Sequence, residues 1–151
     1  MPQDPEQIAC WQRLGPTVTT SGRLTVDDVA TLNDLGVRHV INLALTDSPG
    51  ALADEGVLLA GCGIHYTHIP VPFGSPEEGH FAAFRAALAA GPAPVHAHCI
   101  MNWRVSAFFY RHHRGSGMPE AEARALMEQQ WSPESNQSPD APAWARFIAE
   151  P

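Results

Sequence analysis

The chain has little with which to reach a membrane, a nucleic acid or an oxidising compartment. No stretch approaches the roughly 20 consecutive apolar residues that a spanning helix needs, and the opening Met1-Pro2-Gln3-Asp4-Pro5-Glu6 has neither the basic end nor the apolar segment of a secretory leader. Positive charge is scarce: nine Lys and Arg stand against 16 Asp and Glu, for a formal net charge of −7. That balance argues against broad nucleic-acid binding, which rests on clustered cations neutralising phosphates. Any anion bound here must be held by a local site. The three cysteines, Cys10, Cys62 and Cys99, are odd in number and widely spaced, which suits neither a disulfide framework nor a zinc cluster. Internal repeats and low-complexity segments are absent too. These absences predict a cytoplasmic protein with neither membrane nor nucleic acid as partner.

What is present is enough for one core. At 151 residues with 44% hydrophobic side chains, the chain has the size of a single domain spanning 1–151. Turn signals at Gly15-Pro16 and Ser21-Gly22 around Thr17-Val18-Thr19-Thr20 predict an opening hairpin. Thr25 reads as the N-cap of a first helix, with Asp27 and Asp28 in its first turn and Gly36 as its stop. The apolar run Val37 to Leu45 predicts a buried strand, Ala51 to Ala60 a second helix closed by Gly61 or Gly63, and Ile64 to Val71 another strand ended by Pro72. Ser75 as N-cap, Pro76 at the first helical position and Glu77 and Glu78 in a capping box predict a third helix up to Gly91. Pro94 to His98 reads as a strand leading into Cys99, and Val105 to His113 as the helix after it. Helices over Pro119 to Gln130 and about Pro142 to Ala149 follow, joined by the polar loop Ser132 to Ala141. Strands alternating with helices predict a three-layer α/β fold with a mostly parallel central sheet.

The chemistry concentrates between Pro94 and Ser106. A strand that ends in a tight loop opening onto a helix N-terminus aims several backbone N–H groups in one direction, with the helix dipole behind them. Such a cradle holds anions. Cys99 at its rim would have its thiolate favoured by those dipoles and by the Arg104 guanidinium, and Arg104 adds the bidentate fork that fits a tetrahedral oxyanion. A thiolate beside a bound oxyanion is the layout of covalent phosphoryl or sulfur transfer. The N–H groups of Ile100, Met101, Asn102, Trp103 and Val105 would complete the cradle.

His98-Cys99 with Arg104 and Ser106 resembles the signature loop of the protein tyrosine and dual-specificity phosphatase superfamily, in particular its small bacterial phosphatase-like members. Thr20-Ser21-Gly22-Arg23-Leu24, Leu35-Gly36-Val37, Val40-Ile41-Asn42-Leu43, Tyr66-Thr67-His68-Ile69-Pro70-Val71 and the end from Trp131 through Trp144-Ala145-Arg146-Phe147-Ile148 look like family segments, covering about residues 17–148. The resemblance implies a cysteine-phosphatase fold and a phosphate-bearing substrate, with Cys99 as nucleophile, Arg104 on the oxyanion, and His98 and Ser106 tuning the thiolate and its release. It implies no cofactor.

Two departures stand out. The superfamily places five residues between Cys and Arg, usually with a glycine among them; this chain has four and no glycine, a length shared with rhodanese-type sulfurtransferases, whose cysteine carries a persulfide. Asn102 is the residue there that best tolerates a positive φ. The stretch Ile69 to Glu78, where the family carries an aspartate to protonate the leaving oxygen, contains none. Glu77, Glu78 and Asp47 are the substitutes, and the two glutamates read more simply as first-turn helix residues. A phosphatase, a sulfurtransferase and a phosphate-binding pseudophosphatase therefore all remain open. His96, His112 and His113 have no Cys or carboxylate spacing of a metal site and read as packing or solvated residues. Arg111 to Arg114 read as a basic helix C-terminus matched to its dipole.

Overall fold

The computed structural model describes residues 4–150. The predicted hairpin forms from β1 (Gln12–Gly15) and β2 (Val18–Ser21), followed by α1 (Val26–Asp34), β3 (His39–Asn42), α2 (Glu55–Gly61), β4 (His65–His68), α3 (Glu78–Ala90), β5 (Val95–His98), α4 (Trp103–Gly115), α5 (Glu120–Glu128) and α6 (Ala141–Ala149). The five strands form one sheet in the order β1-β2-β5-β3-β4. Only the β1–β2 pair is antiparallel; β2–β5, β5–β3 and β3–β4 are parallel. The chain lays down β2, β3 and β4 and then returns through α3 to place β5 between β2 and β3. Right-handed crossovers require α1 and α2 on one face and α3 on the other.

The packing agrees with that layering. Val29, Leu32, Val37, Val40, Leu59 and Ile64 form one cluster under α1 and α2, while Ile41, Leu43, Phe81, Phe84, Ala97, Phe108, Trp144 and Phe147 form the larger one under α3, α4 and α6. Along β3, Val40 and Ile41 therefore face opposite sides, as the two-residue period of a strand demands. Both are fully buried, which is why this strand reads as a continuous apolar run.

Local capping explains two boundaries. The Thr25 hydroxyl accepts from Asp28 N at 3.3 Å and Thr25 N donates to Asp28 Oδ2 at 2.9 Å, a complete capping box; Gly36 takes φ +85° just past the helix end. The third helix departs from expectation. Its N-cap is Glu77, not Ser75, and Glu77 N donates to His80 Nδ1 at 3.1 Å. Ser75 N instead closes a turn onto Pro72 O, so Pro76 stands before the helix rather than in its first turn. The second helix starts at Glu55, after Asp54 at φ +56°, later than the apolar pattern suggested. No helix is long and apolar enough to cross a membrane among the described residues.

Candidate functional site

The site lies at the carboxyl end of β5, the middle strand of the sheet, where open α/β sheets commonly bind ligands. All four β5 residues and Cys99 are buried. Ile100 and Met101 then turn the chain, and α4 opens at Trp103. The turn is fixed from behind by Asn102, which is fully buried at φ +65°. Its Nδ2 donates to Cys10 O at 2.9 Å and Thr20 Oγ1 at 3.0 Å, and its Oδ1 accepts from the Ser106 hydroxyl at 3.1 Å. A glycine-free loop thus turns on an asparagine whose side chain is held from three directions.

Gly22 contributes from the neighbouring strand. Arg23 N donates to Ile100 O at 2.9 Å, and a Cβ on Gly22 would stand 2.4 Å from that same oxygen. Only glycine lets the β2 turn approach the loop so closely.

Arg104 is buried, its Nε donating to Val71 O at 2.9 Å and its guanidinium carbon 5.4 Å from the centre of the Phe73 ring. No carboxylate pairs with it among the described residues. The guanidinium is therefore oriented by a carbonyl and an aromatic face. Arg104 and Cys99 share one cavity of about 260 Å³ with Ser48, Pro49, Phe73, Ile100, Met101 and Trp103. Cys99 sits at its closed floor and Met101, 48% exposed, at its mouth.

His98 is buried against the α2 end. Its Nε2 lies 2.6 Å from Glu55 Oε2, and its Nδ1 lies 3.1 Å from Cys99 O. Both ring nitrogens thus face oxygen acceptors. The histidine orders the loop by gripping the carbonyl of the cysteine itself. His96, one residue before Ala97 on the same strand, is a different case. The Ser21 hydroxyl donates to Gly22 O at 2.9 Å, so at 2.8 Å it accepts from His96 Nε2, leaving Nδ1 to accept from the Thr19 hydroxyl at 2.8 Å. Burial pushes the His96 pKa well below the ordinary histidine range, with His98 adding to the effect. It is a neutral strut between β2 and β5.

The sequence-derived site residues divide by this geometry. Ile100, Met101, Trp103, Cys99 and Arg104 line the cavity, and His98 supports it. Asn102 and Val105 are fully buried, so they can offer a ligand backbone N–H groups alone. The Ser106 hydroxyl is engaged by Asn102 and makes no hydrogen bond to Cys99. Among the carboxylates considered as acids, Glu78 pairs with Arg111 through both oxygens, which together with the guanidinium charge holds its pKa below the usual range. Glu77 caps α3, and Asp47 is exposed on the turn beside Ser48. The basic end of α4 has His112, His113 and Arg114 in its last turn, while Arg111 is buried, stacked 4.3 Å from the Phe81 ring centre and 4.6 Å from that of Phe147, and ties α4 to α3 and α6.

Several contributors were not visible in the sequence. Glu55 is one; the only signal was that a buried histidine needs a partner. Two tryptophans are others. Trp131 Nε1 donates to Trp103 O at 2.9 Å and the two indoles stack at 4.8 Å, while Trp144 Nε1 donates to Phe73 O at 2.6 Å. The C-terminal segment thereby anchors both aromatic walls of the cavity. Asp140, at the start of α6, brings its carboxylate to Gly74, where a Cβ would meet Oδ1 at 3.0 Å, though it does not line the cavity.

Residues 11–111 match the model of the beta-lactamase hydrolase-like protein, phosphatase-like domain family. Among solved structures, a candidate phosphatase (DUF442) from Shewanella putrefaciens CN-32 is 28% identical with a TM-score of 0.76, the match covering 94% of this chain and 90% of that one. TpbA of P. aeruginosa is 20% identical with a TM-score of 0.65, over 91% of this chain and 83% of its own. A form of TpbA with its cysteine replaced by serine, in complex with pTyr, aligns at a TM-score of 0.61 and 18% identity over 97% of this chain and all of its own, 100%. No curated protein matches.

Proposed function

Because this chain belongs to the phosphatase-like domain family of beta-lactamase hydrolase-like proteins, within the protein tyrosine phosphatase superfamily, we propose that it is a phosphomonoesterase working through Cys99 and Arg104. One observation carries the reading: Arg104, held by Val71 O and Phe73 and without a carboxylate partner among the described residues, opens into the same cavity as Cys99 at the N-terminus of α4. A phosphoryl group seated there would receive the guanidinium fork and the loop N–H groups. The Cys99 thiolate attacks phosphorus, the P–O ester bond breaks and the leaving oxygen takes the electron pair. Water then attacks the phosphocysteine, releasing inorganic phosphate and restoring the thiolate.

Among the described residues no carboxylate lines the cavity. An aryl oxide leaves with little proton help, whereas an alkoxide needs an acid that is typically worth about 10²–10⁴ in rate. The apolar walls of Phe73, Trp103 and Met101 suit a ring as well. The substrate class is accordingly an aryl phosphate, phosphotyrosine being the biological example and the ligand that TpbA binds.

The test is hydrolysis of p-nitrophenyl phosphate against an alkyl phosphate in wild type and Cys99→Ser. Aryl turnover that disappears in the serine variant, with alkyl turnover at least about 10²-fold slower, is expected. Thiosulfate with cyanide is assayed in parallel, since the four-residue spacing is also that of sulfurtransferases. Cys99-dependent thiocyanate without phosphate release would replace phosphorus by sulfur, and an anion bound with neither activity would make the protein a pseudophosphatase.

A further inference from the structure

The chain has no lysine, and its nine cations are all arginines. Three of them form ion pairs away from the cavity: Arg13 with Asp4, Arg111 with Glu78, and Arg124 with Glu120, Glu128 and Glu134. Arg104 is the cation of the cavity floor. Arg23 is the one that stands next to the loop, directly after the carboxyl end of β2, exposed and with no ion pair or side-chain hydrogen bond among the described residues.

Its position is not that of a loose surface residue. Its backbone is bolted to the loop, since Arg23 N donates to Ile100 O at 2.9 Å. Its side chain runs across Gly50, where a Cβ would stand 3.0 Å from Arg23 Cδ and 4.0 Å from Nε. Ile100 forms one wall of the cavity, and Ser48 and Pro49, immediately before Gly50, form another. Arg23 is therefore tied by its backbone and its aliphatic stem to the segments that supply two walls of the cavity, outside the residues that line it, with its guanidinium unpaired among the described residues. In a protein of net charge −7, an unpaired arginine held beside an anion cavity is a local attraction set against a repelling background.

We propose that Arg23 is a specificity residue that binds a second anionic group on the substrate, so that the preferred ligand is an aryl phosphate whose far end carries a carboxylate or another anion. The inference rests on the phosphatase reading for its substrate class, but the binding itself does not require turnover. Arg104 takes the phosphoryl group at the floor, the ring lies between Phe73, Trp103 and Met101, and the second anion meets Arg23 at the mouth. The contact is water-exposed, so it selects among substrates by a modest factor and weakens with salt.

The experiment compares N-acetyl-O-phosphotyrosine with its C-terminal amide, and a phosphotyrosine peptide flanked by glutamates with the same peptide flanked by glutamines. Both are measured as kcat/KM in wild type and Arg23→Ala, and as Kd by calorimetry in the Cys99→Ser background. The charged member of each pair should be favoured by roughly 3- to 10-fold at low salt. The preference should fall to near unity in Arg23→Ala and return in part in Arg23→Lys. Preference in the peptide pair alone would place the second anion on a flanking residue, and preference in the amino-acid pair as well would place it on the small ligand. Equal affinities within both pairs in wild type, or a preference that survives Arg23→Ala, would overturn the proposal. If no Cys99-dependent turnover is found, the phosphatase reading fails, while the Kd ratios still decide the role of Arg23.

Discussion

At the residue scale, the loop depends on Asn102 more than on any glycine. The left-handed conformation costs an ordinary L-residue about 1–2 kcal/mol, and each hydrogen bond made by a buried amide contributes about 1 kcal/mol. Asn102→Ala loses both, leaving the Cys10 carbonyl, Thr20 and Ser106 without their partner, and should destabilise the fold by about 3 kcal/mol or more. Asn102→Gly loses the hydrogen bonds but not the φ preference, and should be milder than Ala by about 1 kcal/mol. Urea unfolding of the two variants measures the difference; a glycine variant no more stable than the alanine one would show that φ is not what selects asparagine here. That Asn102 would carry the positive φ was legible because the stretch from Cys99 to Arg104 has no glycine. Its three partners were not, because Cys10 and Thr20 lie some 80 to 90 positions away in the chain.

At the element scale, the strands and helices that position the site were written in local signals. The Thr25 N-cap, the apolar run around β3 and the glycine stop at Gly36 follow from short-range chemistry, and the structure has them where the residues predict. Tertiary contacts moved the rest. The start of α3 shifted because Ser75 turns back onto Pro72 and His80 meets the Glu77 N–H. Arg111 read as part of a basic helix end, while its pairing with Glu78 on α3 and its stacking on the rings of Phe81 and Phe147 depend on distant elements. The nucleophile and oxyanion candidates could be named from thirteen consecutive residues. The cavity around them could not, since its walls come from the turn at Ser48-Pro49, from Phe73, and through Trp131 and Trp144 from the far end of the chain.

At the scale of the whole molecule, the buried imidazoles set the response to acid. Burial lowers the pKa of His39, His96, His112 and His113. In the unfolded chain these groups titrate near 6.5. As pH falls through that value the unfolded state takes up protons that the native state refuses, so stability falls, by up to about 1.4 kcal/mol per pH unit for the fully buried His96 and by less for His112 and His113, which are half-buried. Glu78 acts in the same direction at lower pH: Arg111 depresses its folded pKa, so the stabilisation from that pair is present above the unfolded carboxylate value and is lost as pH falls through the folded one. Urea midpoints should decline steadily from about pH 7 to about pH 5; a flat profile over that interval would show that the histidines are hydrated in solution. The central claim, that this small α/β domain uses Cys99 to take a phosphoryl group held by Arg104, is tested most directly by trapping the intermediate. Wild-type protein mixed with p-nitrophenyl phosphate is quenched in acid within the first turnover, digested and read by mass spectrometry. The account predicts one phosphoryl group on the peptide that contains Cys99, absent in Cys99→Ser and strongly reduced in Arg104→Lys, where a point charge replaces the fork. Phosphate release with no adduct on Cys99, or release that persists in Cys99→Ser, would contradict it.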